Sequence, residues 1–392
     1  MFNLQTSSKL HILIMTESWQ GALACIQSLG QKGHTLSVLA NGEESFHCRS
    51  KYVKNVFHLP SSPDTETSAQ HLIQLVEDHH VDLVIPISDE DAYLVAFANE
   101  KKASRAFIIS SLKAIEVARS RNKTTELCRE LKIPVPHTVC INKETPVEKA
   151  AESIGFPLYL KISQTVGSSG VRLLHSMNQL SAILKDLPDS AEYQLQKPVS
   201  ANSLGVTGFA LKGQLQKSFA FKMDSRFSIG GTPPYSTLVD EPRAHEILAQ
   251  ITSALNWTGA IDLDFLYTPD QNLYLLEINP RFSGTLIFPL KLGIDLPGYY
   301  LTAWGLPNDS LRKIPRALSC NAFITLPQEK KLIKKNLKSG LFQAVQFRLR
   351  QRYTSNIFWR DASLNAAWLK SCLKSFSRHI FRSSRIKDKS LS

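Results

Sequence analysis

The chain has 392 residues, 43% of them hydrophobic and 20% charged, a composition typical of a globular protein with two or three domains. No run approaches the roughly 18 apolar residues that a membrane-spanning helix requires. The first ten residues lack the pattern of a signal peptide, so we expect a cytoplasmic protein. The six cysteines show no paired spacing, which argues against a disulfide framework or a zinc site.

The net charge of +12 is concentrated at one end of the chain. Residues 330–392 contain 16 Lys and Arg against two acids, a net charge of +14, so the first 329 residues carry about −2. We therefore expect no nucleic-acid binding by the main body, and an anionic partner for the tail.

The first hundred residues alternate between strand and helix patterns. The predicted elements are strands at 11–15, 35–40 and 81–87 and helices at 21–34 and 71–80. This alternation indicates a parallel sheet covered on both faces, which is a Rossmann-like N-terminal domain over residues 1–110. No GxGxxG motif follows the first strand, so the pattern does not indicate a dinucleotide site.

The acidic stretch SDED (88–91) follows the last of these strands. It is typical of an N-cap cluster at the start of a helix. The alternative is a contact with a substrate or with the neighbouring domain.

The middle of the chain changes from alternating elements to consecutive strands. One or two helices are predicted over 111–136, and a Gly/Ser loop joins the strand at 156–163 to the next strand. The remaining predicted elements are strands at 193–199, 205–213 and 214–223, a helix at 240–257, and a hairpin of 260–267 with 273–279.

The hairpin places polar side chains in rows. Asp262 and Asp264 share one face of the first strand, and Glu277, Asn279 and Arg281 follow at every second position along the other. Converging oxygen ligands suit Mg²⁺, and neighbouring carboxylates repel each other without a cation. The alternative is a polar sheet face in contact with water.

Lys161 lies at the end of the strand before the Gly/Ser loop. A lysine beside a loop rich in backbone N–H groups suits phosphate oxygens, although the Walker A motif is absent. A solvated edge lysine next to an ordinary turn would give the same pattern.

Together these segments resemble the ATP-grasp superfamily of ligases, especially its carbamoyl-phosphate synthetase-like and amino-acid ligase-like branch. The most specific part is GAIDLDFLYTPDQNLYLLEINPRFSG, an acidic strand, a hairpin and an ExNPR motif. The resemblance implies a combined α/β and α+β fold, with a pre-ATP-grasp domain before a two-subdomain ATP-grasp domain at 111–306. The lid subdomain would cover about 135–197, and a basic, partly helical extension would cover 307–392.

The resemblance also implies roles for individual residues. Asp264, Glu277 and Asn279 would bind Mg²⁺ or Mn²⁺, with Asp262 as the alternative to Asp264. Arg281 would lie against the transferred phosphate, and Arg226 would contact substrate or phosphate. The residues expected to bind ATP are Lys123, Lys161, Gly167, Ser168, Ser169, Gly170, Gln196, Lys197 and Val199.

Three positions depart from the family pattern. Asn122 stands where an acid usually precedes the lysine, and the hinge at 193–199 has no acid for adenine. Asn202 or Ser203 would have to replace the glutamate that often binds ribose. These departures affect the nucleotide positions and leave the metal and phosphate positions intact.

The function implied is an ATP-dependent ligase that joins a small carboxylate to an amine or a thiol through an acyl phosphate. The rival interpretation is a nucleotide-binding regulatory or scaffold protein without turnover. The tail at 366–387 spaces apolar residues on one helical face among Lys and Arg, so it either packs on the body or binds an anionic membrane or a protein partner. No feature of the sequence sets an oligomeric state.

Overall fold

The computed structural model describes most of the chain between residues 9 and 307 and five short segments beyond. The described residues are 9–15, 19–40, 46–60, 62, 64–141, 145–162, 170–186, 192–223, 234–307, 322–324, 344–347, 349–351, 353–355 and 361–366.

Four parallel strands form the N-terminal sheet, in the order β3-β2-β1-β4. Ile12 and Ile14 of the central strand pack into one core, while Leu13 and Met15 pack into a second core on the opposite face. This alternation confirms the predicted parallel sheet covered on both faces. Its elements are β1 (His11–Met15), α1 (Trp19–Gln31), β2 (Thr35–Leu39), a 3-10 turn (Phe46–Arg49), β3 (Val53–Phe57), α2 (Thr65–Asp78), β4 (Leu83–Ile85) and α3 (Asp89–Lys101).

Helix α2 begins six residues earlier than the apolar spacing predicts. Asp64 caps it by accepting a hydrogen bond from the backbone N–H of Thr67, at 2.7 Å. The first turn, Thr-Glu-Thr, is polar and therefore has no hydrophobic periodicity. The cap, not the apolar pattern, sets this boundary.

The second sheet has four antiparallel strands, in the order β5-β8-β6-β7, and a small core of its own. Two helices precede it, and Ser120 ends the first while capping the second through the backbone N–H of Lys123. The elements are α4 (Leu112–Arg119), α5 (Arg121–Glu130), β5 (Thr138–Ile141), α6 (Val147–Ile154), β6 (Leu158–Ile162), β7 (Val171–Leu174), α7 (Met177–Leu184) and β8 (Tyr193–Gln196). Because it lies within the expected lid subdomain, about 135–197, we call this second sheet the lid sheet.

The third sheet has seven strands, in the order β13-β12-β9-β10-β11-β14-β15. The predicted hairpin of β12 and β13 forms one edge. The elements are β9 (Asn202–Leu211), β10 (Gln214–Met223), β11 (Tyr235–Leu238), α8 (Pro242–Ala254), β12 (Gly259–Tyr267), β13 (Leu273–Asn279), α9 (Ile287–Lys291), α10 (Tyr299–Trp304), β14 (Ala322–Ile324) and β15 (Tyr353–Ser355).

The described parts of the expected C-terminal extension pack against the body. Strand β14 pairs with β11, and β15 pairs with β14. Most of the predicted basic helix at 366–387 lies outside the described residues. Among the helices of the described residues, none has the length and apolar character to cross a bilayer.

Asp361 joins this extension to the N-terminal domain. Its carboxylate is fully buried and accepts hydrogen bonds from Gln27 Nε2 at 2.8 Å, Ser50 Oγ, and the backbone N–H groups of Lys51 and Leu364. Burial opposes the negative charge, but these donors outweigh it and hold the pKa of Asp361 below its ordinary value.

We predict that Asp361→Asn lowers the free energy of unfolding by about 2–3 kcal/mol at pH 7, because it leaves buried donors without a charged acceptor. A lowered pKa stabilises the fold above the pKa of an unfolded aspartate, about 4, and this contribution disappears as the pH falls. Urea unfolding should therefore show the two proteins converging in stability below about pH 4.

Asp270→Asn, in the exposed turn of the β12–β13 hairpin, is the matched control and should change little. A stability difference between Asp361→Asn and the unaltered protein that is constant from pH 7 to pH 3 would contradict the assignment.

Candidate functional site

The β12–β13 register brings the predicted polar residues together. Asp264 lies directly opposite Glu277, and Asp262 lies directly opposite Asn279. Directly opposite residues of an antiparallel pair point to the same face. We call Asp262, Asp264, Glu277 and Asn279 the acidic row.

In β13, every second residue is first apolar and then polar, although residues two apart in a regular strand lie on the same face. A β-bulge explains this change. The register shifts between Asp264 and Phe265, so that Phe265 pairs with Leu275 and Leu276 is the extra residue. Leu275 therefore joins the buried face with Phe265, while Glu277, two residues later, lies on the opposite face with Asp264. Without the bulge, strict period two would place Leu275 and Glu277 on one face.

Hydrogen bonds connect the members of the acidic row. Asn279 Nδ2 donates to Asp264 Oδ2 at 3.2 Å and lies 3.4 Å from Asp262 Oδ2. Arg281 Nη2 donates to Asn279 Oδ1 at 3.0 Å. Asp262 is 2% exposed, and its Oδ1 has no hydrogen-bond partner in the described part of the chain.

The acidic row concentrates carboxylates in a partly buried place. Burial, reinforced by the neighbouring Glu277 carboxylate, raises the pKa of Asp264 to about 7. Burial and the adjacent Asp264 raise the pKa of Asp262 well above its ordinary value. Both shifts show that a cation would be stabilised here.

The acidic row suits Mg²⁺, which substrate phosphates help to bind, better than it suits a metal ion held entirely by protein side chains. Within the described ranges, no group of three or more His, Cys, Asp or Glu side chains is arranged to hold a metal ion. The predicted set of Asp264, Glu277 and Asn279 offers two carboxylates and an amide. Mg²⁺ is usually bound through one or two carboxylates, with substrate phosphates and water completing its shell.

Arg281 connects the acidic row to the N-terminal domain. Its Nε lies 3.1 Å from Asp89 Oδ1, and Nη1 donates to the carbonyl of Phe282 at 3.1 Å. Burial alone would lower the pKa of Arg281, but Asp89 and the three carboxylates of the row raise it. Arg281 is therefore a fixed positive charge beside the row.

Both interpretations of the SDED stretch are found in the structure. Ser88 caps helix α3 and forms a capping box with Asp91. Asp89, in the same turn, makes the ion pair with Arg281 of the neighbouring domain.

Two positively charged side chains, Lys161 and Arg121, lie near Glu277 of the acidic row. Burial, with the nearby Arg121, lowers the pKa of Lys161 to about 8, while Glu277 opposes this shift. Arg121 Nη2 lies 3.4 Å from Glu277 Oε2, and Nη1 donates to the carbonyl of Ile162 at 2.6 Å. We did not predict Arg121 from the sequence. The available signal was an arginine in the first turn of a helix, where the helix dipole disfavours a cation unless an anion lies nearby.

The residues predicted to bind ATP are spread over more elements of the structure than the acidic row, which lies on two paired strands. Lys123 is exposed and pairs with Glu116 at 3.3 Å. Gln196 Nε2 donates to Thr138 Oγ1 at 2.9 Å, and the backbone N–H of Lys197 donates to His137 at 2.9 Å. Val199 is half-buried.

Most of the Gly/Ser loop that follows β6 lies outside the described residues. Gly170 is buried, and its carbonyl accepts a hydrogen bond from the backbone N–H of Ile162 at 3.0 Å. Gly167, Ser168, Ser169 and Arg226 lie outside the described residues.

Sequence comparisons match this region to known families. A family model described as "ATP-grasp in the biosynthetic pathway with Ter operon" matches residues 226–316. The arginine-specific carbamoyl phosphate synthase large chain of Halalkalibacterium halodurans is 23% identical over 245 residues, covering 59% of this chain and 23% of that protein. The Geobacillus stearothermophilus counterpart is 29% identical over 184 residues, covering 44% and 17%. The chain spans less than a quarter of the length of these two relatives.

Solved structures share the fold. The biotin carboxylase domain of Hydrogenobacter thermophilus 2-oxoglutarate carboxylase, solved with MgADP and bicarbonate, matches with a TM-score of 0.62 and 17% identity, over 78% of this chain and 71% of that one. L-amino acid ligase from Bacillus licheniformis matches with a TM-score of 0.59 and 15% identity, over 79% and 77%. The predicted resemblance to the ATP-grasp superfamily is therefore confirmed by sequence and by fold.

We predict that Asp264→Asn weakens Mn²⁺ binding in the presence of ADP on the order of 10–100-fold, because Asp264 faces Glu277 directly. Asp262→Asn should weaken it less, since Asp262 is almost fully buried opposite Asn279. Electron paramagnetic resonance of free Mn²⁺ measures both affinities. A larger loss for Asp262→Asn would assign the ligand to Asp262 instead.

Proposed function

We propose that the protein is an ATP-dependent ligase that activates a small carboxylate and joins it to an amine or a thiol. The observation that carries the proposal is the acidic row between three buried or half-buried cations, Arg281, Arg121 and Lys161. This arrangement suits a triphosphate with a divalent cation, and it lies on a fold shared with ATP-grasp proteins.

The reaction needs little covalent participation from the protein. An oxygen of the substrate carboxylate attacks the γ-phosphorus, the bond to the β-phosphate oxygen breaks, and ADP leaves. The nucleophile then attacks the acyl carbon of the acyl phosphate, loses a proton, and inorganic phosphate leaves. Positioning and charge neutralisation therefore supply most of the rate acceleration.

Two of these cations would neutralise different parts of the phosphate chain. Lys161, at the end of β6, would contact the α- and β-phosphates, and Arg281, beyond β13, would contact the transferred phosphoryl group. Asp264, Glu277 and Asn279 would hold Mg²⁺, which supplies charge stabilisation to the phosphate oxygens. The loop at 167–170 would exclude water from the acyl phosphate.

A nucleotide-binding regulatory protein without turnover is the second candidate. The observation that favours it is the hinge, where the Gln196 side chain bonds to Thr138 in a place where a glutamate often binds adenine. Weak adenine binding would lower ATP affinity without altering the acidic row. Under this candidate the basic tail would hold the protein on an anionic membrane or a partner.

Phosphate release decides between the two candidates. Purified protein with ATP, Mg²⁺ and pools of carboxylates and amines should release phosphate only when a matching acceptor pair is present. Glu277→Gln should reduce this rate by two orders of magnitude or more, because it removes a carboxylate from the metal set. Glu130→Gln, an exposed change on α5, is the matched control. ATP binding with no phosphate release across broad pools would support the regulatory candidate.

Vesicle flotation tests the membrane proposal for the tail. A truncation after Ala366 keeps Asp361 and its buried contacts and removes residues 367–392. The full-length protein should float with anionic vesicles and not with neutral ones, because a basic amphipathic helix binds anionic lipid. Equal flotation of the truncated protein would rule out the tail as the contact.

A further inference from the structure

Arg121 occupies a position that ordinarily disfavours a buried cation. It is the first residue of α5, where the helix dipole is positive, and it is only 7% exposed. A buried guanidinium in such a place requires strong acceptors. Its partners therefore indicate what it does.

The guanidinium bridges two sheets. Nη1 donates to the carbonyl of Ile162, the last residue of strand β6 in the lid sheet, at 2.6 Å. Nη2 lies 3.4 Å from Glu277 Oε2, on strand β13 of the seven-stranded sheet. One side chain thus contacts both the end of β6 and a member of the acidic row.

The backbone of Arg121 is tied to the lid sheet as well. Its carbonyl accepts a hydrogen bond from Gln194 Nε2 of strand β8, at 2.7 Å. Strand β8 pairs with β6, and Gln194 lies opposite Lys161 in that pair. A shift of the lid sheet would therefore move Arg121 relative to Glu277.

We propose that Arg121 is a positioning residue that couples the lid sheet to Glu277. It holds the end of β6, and with it Lys161, at a fixed distance from the acidic row. Neutralisation of Glu277 by a divalent cation would weaken the Arg121 contact and release the end of β6. This proposal rests on the metal role of Glu277 in the proposed function, but the Arg121–Glu277 coupling itself can be measured without any ligand.

Arg129 supplies a matched control on the same helix. Its Nη2 donates to the carbonyl of Thr138 in strand β5 of the lid sheet, also at 2.6 Å. Among the described contacts, Arg129 does not reach the acidic row. If Arg121 only tethered α5 to the lid sheet, Arg121 and Arg129 would be equivalent. Coupling to Glu277 would be specific to Arg121.

A double-mutant cycle on amide exchange tests the coupling. In the ligand-free protein, Arg121→Gln and Glu277→Gln should each accelerate exchange of the β6 amides by a factor on the order of five. The double variant should exchange no faster than Arg121→Gln alone, because Arg121→Gln already removes the contact that Glu277→Gln breaks. Arg129→Gln combined with Glu277→Gln should give the product of the two single effects. Exchange in the N-terminal sheet, unchanged throughout, verifies that the variants remain folded.

Mn²⁺ added in the presence of ADP, with ADP alone as the reference, provides the second readout. It should alter β6 exchange in the unaltered protein and in Arg129→Gln, but not in Arg121→Gln. Multiplicative effects of Arg121→Gln and Glu277→Gln would overturn the proposal. If the cycle shows coupling while Mn²⁺ fails to bind the unaltered protein even with ADP present, the metal role of Glu277 fails and the contact between Arg121 and Glu277 stands.

Discussion

Two half-buried carboxylates, Asp264 and Glu277, are held opposite each other on adjacent strands. Their repulsion has to be offset, because like charges partly removed from water destabilise a fold without a counter-ion. Arg121 approaches from helix α5 and Arg281 from the segment after β13. The positions of these elements relative to the hairpin therefore follow from one electrostatic requirement.

The same requirement joins the three sheets. Arg281 reaches Asp89 at the start of α3 in the N-terminal domain, and Arg121 reaches Ile162 at the end of a lid strand. The seven-stranded sheet carries the acidic row between them. A ligand that changes the charge of the row would thus act on contacts with both neighbouring domains.

Much of this arrangement could be predicted from periodicity and motifs. The parallel sheet, the β12–β13 hairpin and the common face of Asp264, Glu277 and Asn279 follow from alternation in the sequence. The bulge at Leu276 could not be predicted from the sequence. A strand in which every second residue is first apolar and then polar is compatible with several pairing registers. Arg121 was missed because its partners, Ile162 and Glu277, are 41 and 156 residues away. Asp361, 311 residues from Ser50, was missed for the same reason.

The proposed ligase activity requires the acidic row to bind a divalent cation together with the phosphates of ATP. A crystal structure of the protein with Mn²⁺ and a non-hydrolysable ATP analogue would test this requirement. We expect an anomalous manganese peak at coordination distance from oxygens of Asp264, Glu277 and Asn279, with the terminal phosphate beside Arg281. A nucleotide bound elsewhere, or bound with no manganese at the row, would contradict it.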